Sequence, residues 1–255
     1  MLQDKVALVT GGARGLGEAI VRAMAVEGAA VMAVDVLEAE GAALAEELQG
    51  EGYRVAFRHC DITRNEDVRA AVAACEATFG PLTTLVNNAA IALPPARVTE
   101  LAEADFQRVL DVNVTAIFRF CAATFEGFRA RGGGVVINLS SVHQSHSLGG
   151  WCAYAASKGA VISLTRQLAV EWGPANIRVV SISPGAIDAT MTRDIIARDP
   201  SGETGRKFRH MHALERLGKP DEVGKVAAFL ASDGAGFITG EDILIDGGLT
   251  KVCRL

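Results

Sequence analysis

Seven short, nearly continuous apolar runs separated by longer helical patterns constrain this chain more than any other feature. The runs are Lys5–Thr10, Ala30–Asp35, Arg54–His59, Thr84–Asn87, Val135–Leu139, Arg178–Ile182 and Ile243–Asp246. Strands this apolar must be covered on both faces. Between them, residues about 15–28, 38–51, 65–79, 103–130, 152–173 and 220–232 carry a helical pattern. Repeated β-α units of this kind predict an α/β fold, a parallel sheet with helices on both sides. There is no linker, low-complexity segment or internal repeat, so residues 1–255 read as one domain. Residues 188–215 break the rhythm. Their helical pattern is interrupted by Asp199-Pro-Ser-Gly202, and their place after a strand end predicts a lid over a cleft.

Bulk properties narrow the function. The formal charge is −5, and no basic stripe or aromatic platform suggests a nucleic-acid partner. No apolar run reaches the roughly 18 residues of a membrane span. Met1 to Lys5 run straight into the first strand, which predicts no signal peptide. The five cysteines (Cys60, Cys75, Cys121, Cys152 and Cys253) are odd in number and form no C-x-x-C pair. They read as reduced thiols of a cytoplasmic protein. His59, His143, His146, His210 and His212 form no ligand set with carboxylates, so no metal is expected.

Gly11-x-x-x-Gly15-Leu16-Gly17 follows a strand and opens a helix. Glycines let backbone approach a pyrophosphate, and the free N–H groups at the helix start bind its charge. Asp35 ends the second strand, where a carboxylate accepts the two adenosine ribose hydroxyls. The same carboxylate repels a 2′-phosphate by ~4 kcal/mol at 4 Å and an effective dielectric of 20. The next residue, Val36, offers no compensating charge, whereas Arg14 in the loop carries one. The expected cofactor is NAD.

Tyr154 and Lys158 are four residues apart on a helical pattern, hence on one face. A nearby ammonium favours the phenolate and lowers the tyrosine pKa from its ordinary value near 10. Tyr154 can then exchange a proton with a substrate hydroxyl or carbonyl. Ser141, just past the Val135–Leu139 run, can hydrogen-bond the same oxygen.

Taken together, these residues resemble the short-chain dehydrogenase/reductase family, from Lys5 to Thr250. The resemblance implies a single Rossmann-like, doubly wound domain with a seven-stranded parallel sheet in order 3-2-1-4-5-6-7. It implies a catalytic tetrad of Asn113, Ser141, Tyr154 and Lys158, with Lys158 also on the nicotinamide ribose. Asp61 and Ile62 look like the adenine-pocket residues, and Asn87-Asn88-Ala89 like the segment that steadies the central sheet and lines the cofactor, with Asn87 and Ala89 as the expected cofactor contacts. Pro184-Gly185 resembles the turn beside the nicotinamide, with Ile187 bonding its carboxamide through backbone and Thr190 close to the cofactor. Ala90 stands where the family usually has Gly. Ala189 stands where it often has Thr, and Thr190 comes one residue later. The resemblance further implies a homotetramer built on the helices at 103–130 and 152–173, and the C-terminal Lys251–Leu255 is expected to reach a neighbouring subunit.

The segment between Ser141 and Tyr154 is rich in hydroxyls, imidazoles and amide, which suits a polyhydroxylated substrate. Its Ser-Ser-Val-His143 start is similar to glucose dehydrogenases of the family. His143 and Trp151 join Ser141 and Tyr154 as expected substrate contacts. Arg193, Arg198, Arg206, Lys207 and Arg209 make the expected lid basic, which would attract an anion such as a sugar acid. The reading is an NAD-dependent dehydrogenase of a small-molecule sugar, polyol or sugar acid. The alternatives are a dehydrogenase of apolar ring alcohols such as steroids, on which Trp151 would stack, a 3-oxoacyl-type carbonyl reductase, and a non-catalytic NAD-binding protein. The intact tetrad argues against the last.

Overall fold

The computed structural model describes residues 1–252. Seven parallel strands form one sheet: β1 (Val6–Thr10), β2 (Ala30–Asp35), β3 (Val55–His59), β4 (Thr84–Asn87), β5 (Gly134–Leu139), β6 (Ile177–Pro184) and β7 (Asp242–Ile245). Their order is β3-β2-β1-β4-β5-β6-β7, the Rossmann-like sheet that the resemblance implies, and its parallel strands are those that the alternating pattern predicts. The register is regular, with Leu8 beside Met32 on one side and Leu85 on the other. Because β1 is flanked by β2 and β4, the chain reverses direction across the sheet there. The helices that follow β1 and β4 lie on opposite faces of the sheet, and a crevice opens at the strands' C-terminal ends there.

Alternate strand residues feed two cores. Helices α1 (Gly15–Val26), α2 (Glu38–Gly50) and α9 (Pro220–Ala231) cover one face, with Ile20, Leu48 and Val223 packed on Ala7 and Val9. Helices α3 (Asn65–Phe79), α5 (Ala116–Arg131) and α6 (Cys152–Trp172) cover the other, with Val68, Phe120 and Val161 packed on Val6 and Leu8. The small side chains on α1 and α9 set how close those helices come. A Cβ on Gly224 would lie 2.5 Å from the Ala19 carbonyl oxygen.

The long helix expected over residues 103–130 runs unbroken through α4 (Glu103–Leu110) and α5, and the unexpected feature is the π-helical turn at Asp111–Thr115 that joins them. The wider turn is held from outside the helix: the Asn113 side chain makes two hydrogen bonds to the Ile91 backbone and one to Ser157. The irregular 188–215 segment contains two short exposed helices, α7 (Thr190–Ala197) and α8 (Glu203–His210). Asp199 breaks them apart by accepting hydrogen bonds from Ser201 and from the Thr204 N–H. The expected reach of Lys251–Leu255 to a neighbour depends on Cys253, Arg254 and Leu255, which lie outside the described residues. No helix among the described residues is long and apolar enough to cross a membrane.

Gly224→Ala is expected to lower stability by about 1–3 kcal/mol through overpacking of α9 on α1. Urea unfolding measures it.

Candidate active site

The crevice at the β1/β4 switch is a cleft of 1080 Å³. Its floor is a glycine turn shaped by backbone proximity. Gly11 and Gly15 have φ of 64° and 61°, in the left-handed region. A Cβ on Gly11 would meet Ala89 Cα at 2.8 Å, and one on Gly17 would collide with the Gly11 carbonyl oxygen. The turn thus presents bare backbone and the start of α1 to the cleft, which fits a pyrophosphate. Arg14 and Leu16 line the same stretch. Thr190 closes it from above, with its hydroxyl 3.3 Å from where a Gly15 Cβ would sit. The shifted Thr190 thus stands over the loop although position 189 is alanine.

Asp35 faces this turn. Its carboxylate accepts from the N–H groups of Ala13 (3.1 Å) and Leu37 (3.2 Å), so its direction is fixed by backbone. Asp61 and Ile62 line the far end. The Asp61 carboxylate is held below its usual range mainly by the Thr63 hydroxyl and N–H, which donate to it at 2.7 and 2.9 Å.

Asn87 is placed differently from the expectation that it lines the cofactor. It is buried in the sheet, where its amide donates to Asn138 Oδ1 at 2.9 Å. The neighbour, Asn88, reaches the cleft, and its amide donates to the carbonyls of Thr10 (2.9 Å) and Gly11 (3.1 Å). Ala89 lines the cleft beside it. Strand alternation explains the swap: β4 ends at Asn87, whose side chain points to one core. Ala90 is not among the residues of positive φ, so the family's glycine is not required by backbone conformation here.

Ser141, Tyr154 and Lys158 converge on the opposite wall. Ser141 Oγ accepts from the His143 N–H at 3.2 Å, leaving the hydroxyl hydrogen to donate elsewhere. Lys158 Nζ donates to the Leu139 carbonyl at 2.7 Å and lies 5.5 Å from the centroid of the Tyr154 ring. Burial pushes the Tyr154 phenol up to about 12, opposed by a hydrogen bond from Ser141. Burial also pushes the Lys158 ammonium down to about 8. The Tyr154 pKa therefore lies above its ordinary value, not below it as the neighbouring ammonium led us to expect, because desolvation dominates. Asn113 is 1 % exposed and does not line the cleft; it ties Ile91 to the catalytic helix through Ser157. Ser157 in turn donates to the Tyr154 carbonyl at 2.7 Å, and Ser140 donates to the Lys158 carbonyl at 2.9 Å. Neither serine was singled out from sequence, because nothing local distinguishes a clamp from a packed hydroxyl.

His143 and Trp151 stand behind Tyr154 as a wall of rings. His143 is edge-on to Tyr154 at 5.5 Å and 5.7 Å from Trp151, and Trp151 is 6.0 Å from Tyr154. Pro184, Gly185 and Ile187 form the side of the cleft below α7. The excursion does not bring its basic residues to the cleft. Met191, Thr192 and Asp194 line it, whereas Arg193 pairs with Asp188 at 2.8 Å and Lys207 with Glu203 at 2.8 Å. Sequence reasoning also missed Gln107, Arg108 and Asp111, which line the cleft from α4 and the π-helical turn. A surface helix pattern gave no sign of them.

Comparison with known proteins agrees with this geometry. A family model described as "Enoyl-(Acyl carrier protein) reductase" matches residues 11–250. The chain is 40% identical to D-threitol dehydrogenase of Mycolicibacterium smegmatis over 252 residues, 98% of this chain and 94% of that protein. It is also 40% identical to 3-alpha-(or 20-beta)-hydroxysteroid dehydrogenase of Mycobacterium tuberculosis over 247 residues, 97% and 90% of the two chains. The crystal structure of gox2181 superposes with a TM-score of 0.93 at 33% identity, covering 98% of this chain and 96% of that one.

Gly11→Ala combines a left-handed φ with contact to Ala89, so NADH affinity is expected to fall about tenfold or more. Calorimetric titration reads the change.

Proposed function

The chain belongs to the short-chain dehydrogenase/reductase family, whose members interconvert CH–OH and carbonyl groups with a nicotinamide dinucleotide, and from that premise we propose that it oxidises a secondary alcohol of a neutral polyol or sugar with NAD. The observation that carries the reading is the convergence of Ser141, Tyr154 and Lys158 across one cleft from the glycine turn. The dinucleotide, when bound, takes up or supplies the hydride. Tyr154 holds or moves the proton at the reacting oxygen. Ser141, fixed by the His143 N–H, donates to that oxygen or to the phenolate. Lys158 is the cation within reach of the ring and of the coenzyme ribose.

Asp35, oriented by Ala13 and Leu37, is the natural acceptor for ribose hydroxyls and argues for NAD over NADP. Asp194, rather than a cation of the excursion, faces the cleft, which supports a neutral substrate over a sugar acid. His143 is kept uncharged, because burial lowers its pKa. Its Nδ1 is buried without a partner, so the proton belongs on Nε2, where an N–H serves a second substrate hydroxyl. The excursion at 188–215 acts as the lid. A second reading, an apolar ring alcohol, is favoured by Ile91, Ala92 and Met191 in the cleft and by the hydroxysteroid dehydrogenase relative. The homotetramer is placed on α5 and α6, where Phe118 and Val170 are exposed.

Tyr154→Phe is expected to lower kcat by about 10²–10⁴-fold with the fold intact. Alcohol oxidation needs the phenolate, and the Tyr154 pKa is raised, so kcat/KM for oxidation climbs with pH through neutrality, while reduction, which needs the protonated phenol, stays flat until the pH approaches that raised value. Ser141→Ala removes a bond that favours the phenolate and is expected to move the oxidation profile to higher pH. Steady-state kinetics from acid to alkaline buffer test both. Asp35→Ser is expected to shrink the NAD-over-NADP ratio of kcat/KM by about tenfold or more. His143→Leu is expected to lower kcat/KM for a polyol by about tenfold while sparing a cycloalkanol; equal losses on both would remove the second-hydroxyl contact.

A further inference from the structure

At the foot of the excursion lies an imidazole that the chemistry does not use. His212 is 2 % exposed. Helix α7 contributes no buried residue and α8 only Gly205, so packing of those helices does little to hold the excursion in place. The ring of His212 bonds at both nitrogens. Nδ1 lies 2.7 Å from the Phe208 carbonyl oxygen, which only accepts, so Nδ1 carries the proton. Nε2 then presents its lone pair, and the Ala186 N–H donates to it at 3.1 Å.

Ala186 belongs to the turn after β6 whose Gly185 and Ile187 line the cleft. The ring is pressed against that turn: a Cβ on Gly185 would lie 2.8 Å from Nε2. The Gly218 N–H donates to the Ala186 carbonyl at 3.0 Å, so the returning end of the excursion runs along the same turn. On the other side, the Leu214 N–H donates to the Gly247 carbonyl at 3.1 Å. One neutral imidazole therefore joins the end of α8 to the Gly185–Ile187 turn.

We propose that His212 is a positioning residue that holds the Gly185–Ile187 turn in the shape that receives the coenzyme and couples that turn to the excursion. This rests on the coenzyme reading of the cleft. Without the Nε2 acceptor, the half-buried Ala186 N–H is left unpaired, and the turn relaxes toward water in the free protein. Only a fraction of molecules then carries the receiving shape, and apparent affinity falls by that fraction. His212 touches no reacting atom, so the hydride step itself is unchanged once the coenzyme is seated.

The test is fluorescence titration of the purified full chain with NADH, alongside trypsin digestion with and without NADH, for His212→Leu and His212→Gln. Glutamine supplies a carbonyl for Ala186 and an amide for Phe208. His212→Leu is expected to bind NADH about tenfold more weakly and to lose NADH protection of the Arg206–Arg209 region, while His212→Gln stays within about threefold and keeps it. Single-turnover hydride transfer at saturating coenzyme should stay within about twofold of the parent in both. The proposal is overturned if His212→Leu binds like the parent, if both variants lose equally, or if hydride transfer slows as much as binding. Should His212→Leu not fold, the glutamine variant decides: retained affinity supports the proposal and a tenfold loss contradicts it. Failure of the parent protein to bind NADH would instead sink the coenzyme reading.

Discussion

Two backbone turns meet where β1 and β4 end, and their contact has no space for side chains. The Gly11 carbonyl faces Gly17 so closely that a Cβ would collide, and Ala89 Cα stands 2.8 Å from where a Gly11 Cβ would be. Asn88 closes the contact by donating to the carbonyls of Thr10 and Gly11, while the Thr10 hydroxyl accepts from the N–H groups of Asn88 and Ala89. Each such bond contributes only about 1 kcal/mol, but together they fix the relative height of the two loops. The start of α1, the glycine turn and the cleft wall at Ala89 all take their places from this junction.

Helix α6 is fixed by a second set of polar contacts. Ser140 and Ser157 each spend a hydroxyl on a carbonyl of α6, at Lys158 and Tyr154. Lys158 returns its ammonium to the carbonyl of Leu139 at the end of β5. Asn113, turned inward by the π-helical turn, ties Ser157 to the Ile91 backbone. These contacts fix the helix that carries the phenol, and burial of the phenol raises its pKa and makes the proton it carries costly to remove. Preorganisation and a raised pKa are two results of the same packing, and Ser141 works against the second without loosening the first.

The strands and the residues of the glycine turn were legible in the sequence because each follows from periodicity or from spacing within a few residues, whereas the sheet order came from the family resemblance that those motifs carry. What was not legible depends on contacts between distant segments. The π-helical turn exists because Asn113 reaches Ile91, and a helical pattern does not encode that partner. Asn87 and Asn88 are chemically identical, and only the point where β4 ends decides which one turns to the cleft. The charge of the excursion was visible as composition, but its pairing was not: Arg193 and Lys207 are matched locally, and Asp194 is the charged residue that meets the cleft. The direction of the tyrosine shift failed for the same reason, since burial is a property of the fold.

We propose that this cleft serves NAD-linked oxidation of a neutral polyhydroxylated alcohol. The most direct measurement is the initial rate of NADH formation from NAD across matched panels of polyols, sugars, sugar acids, steroids and cycloalkanols. The account predicts the highest kcat/KM for an uncharged polyol or sugar. Turnover confined to apolar ring alcohols, or highest for a sugar acid, would contradict it.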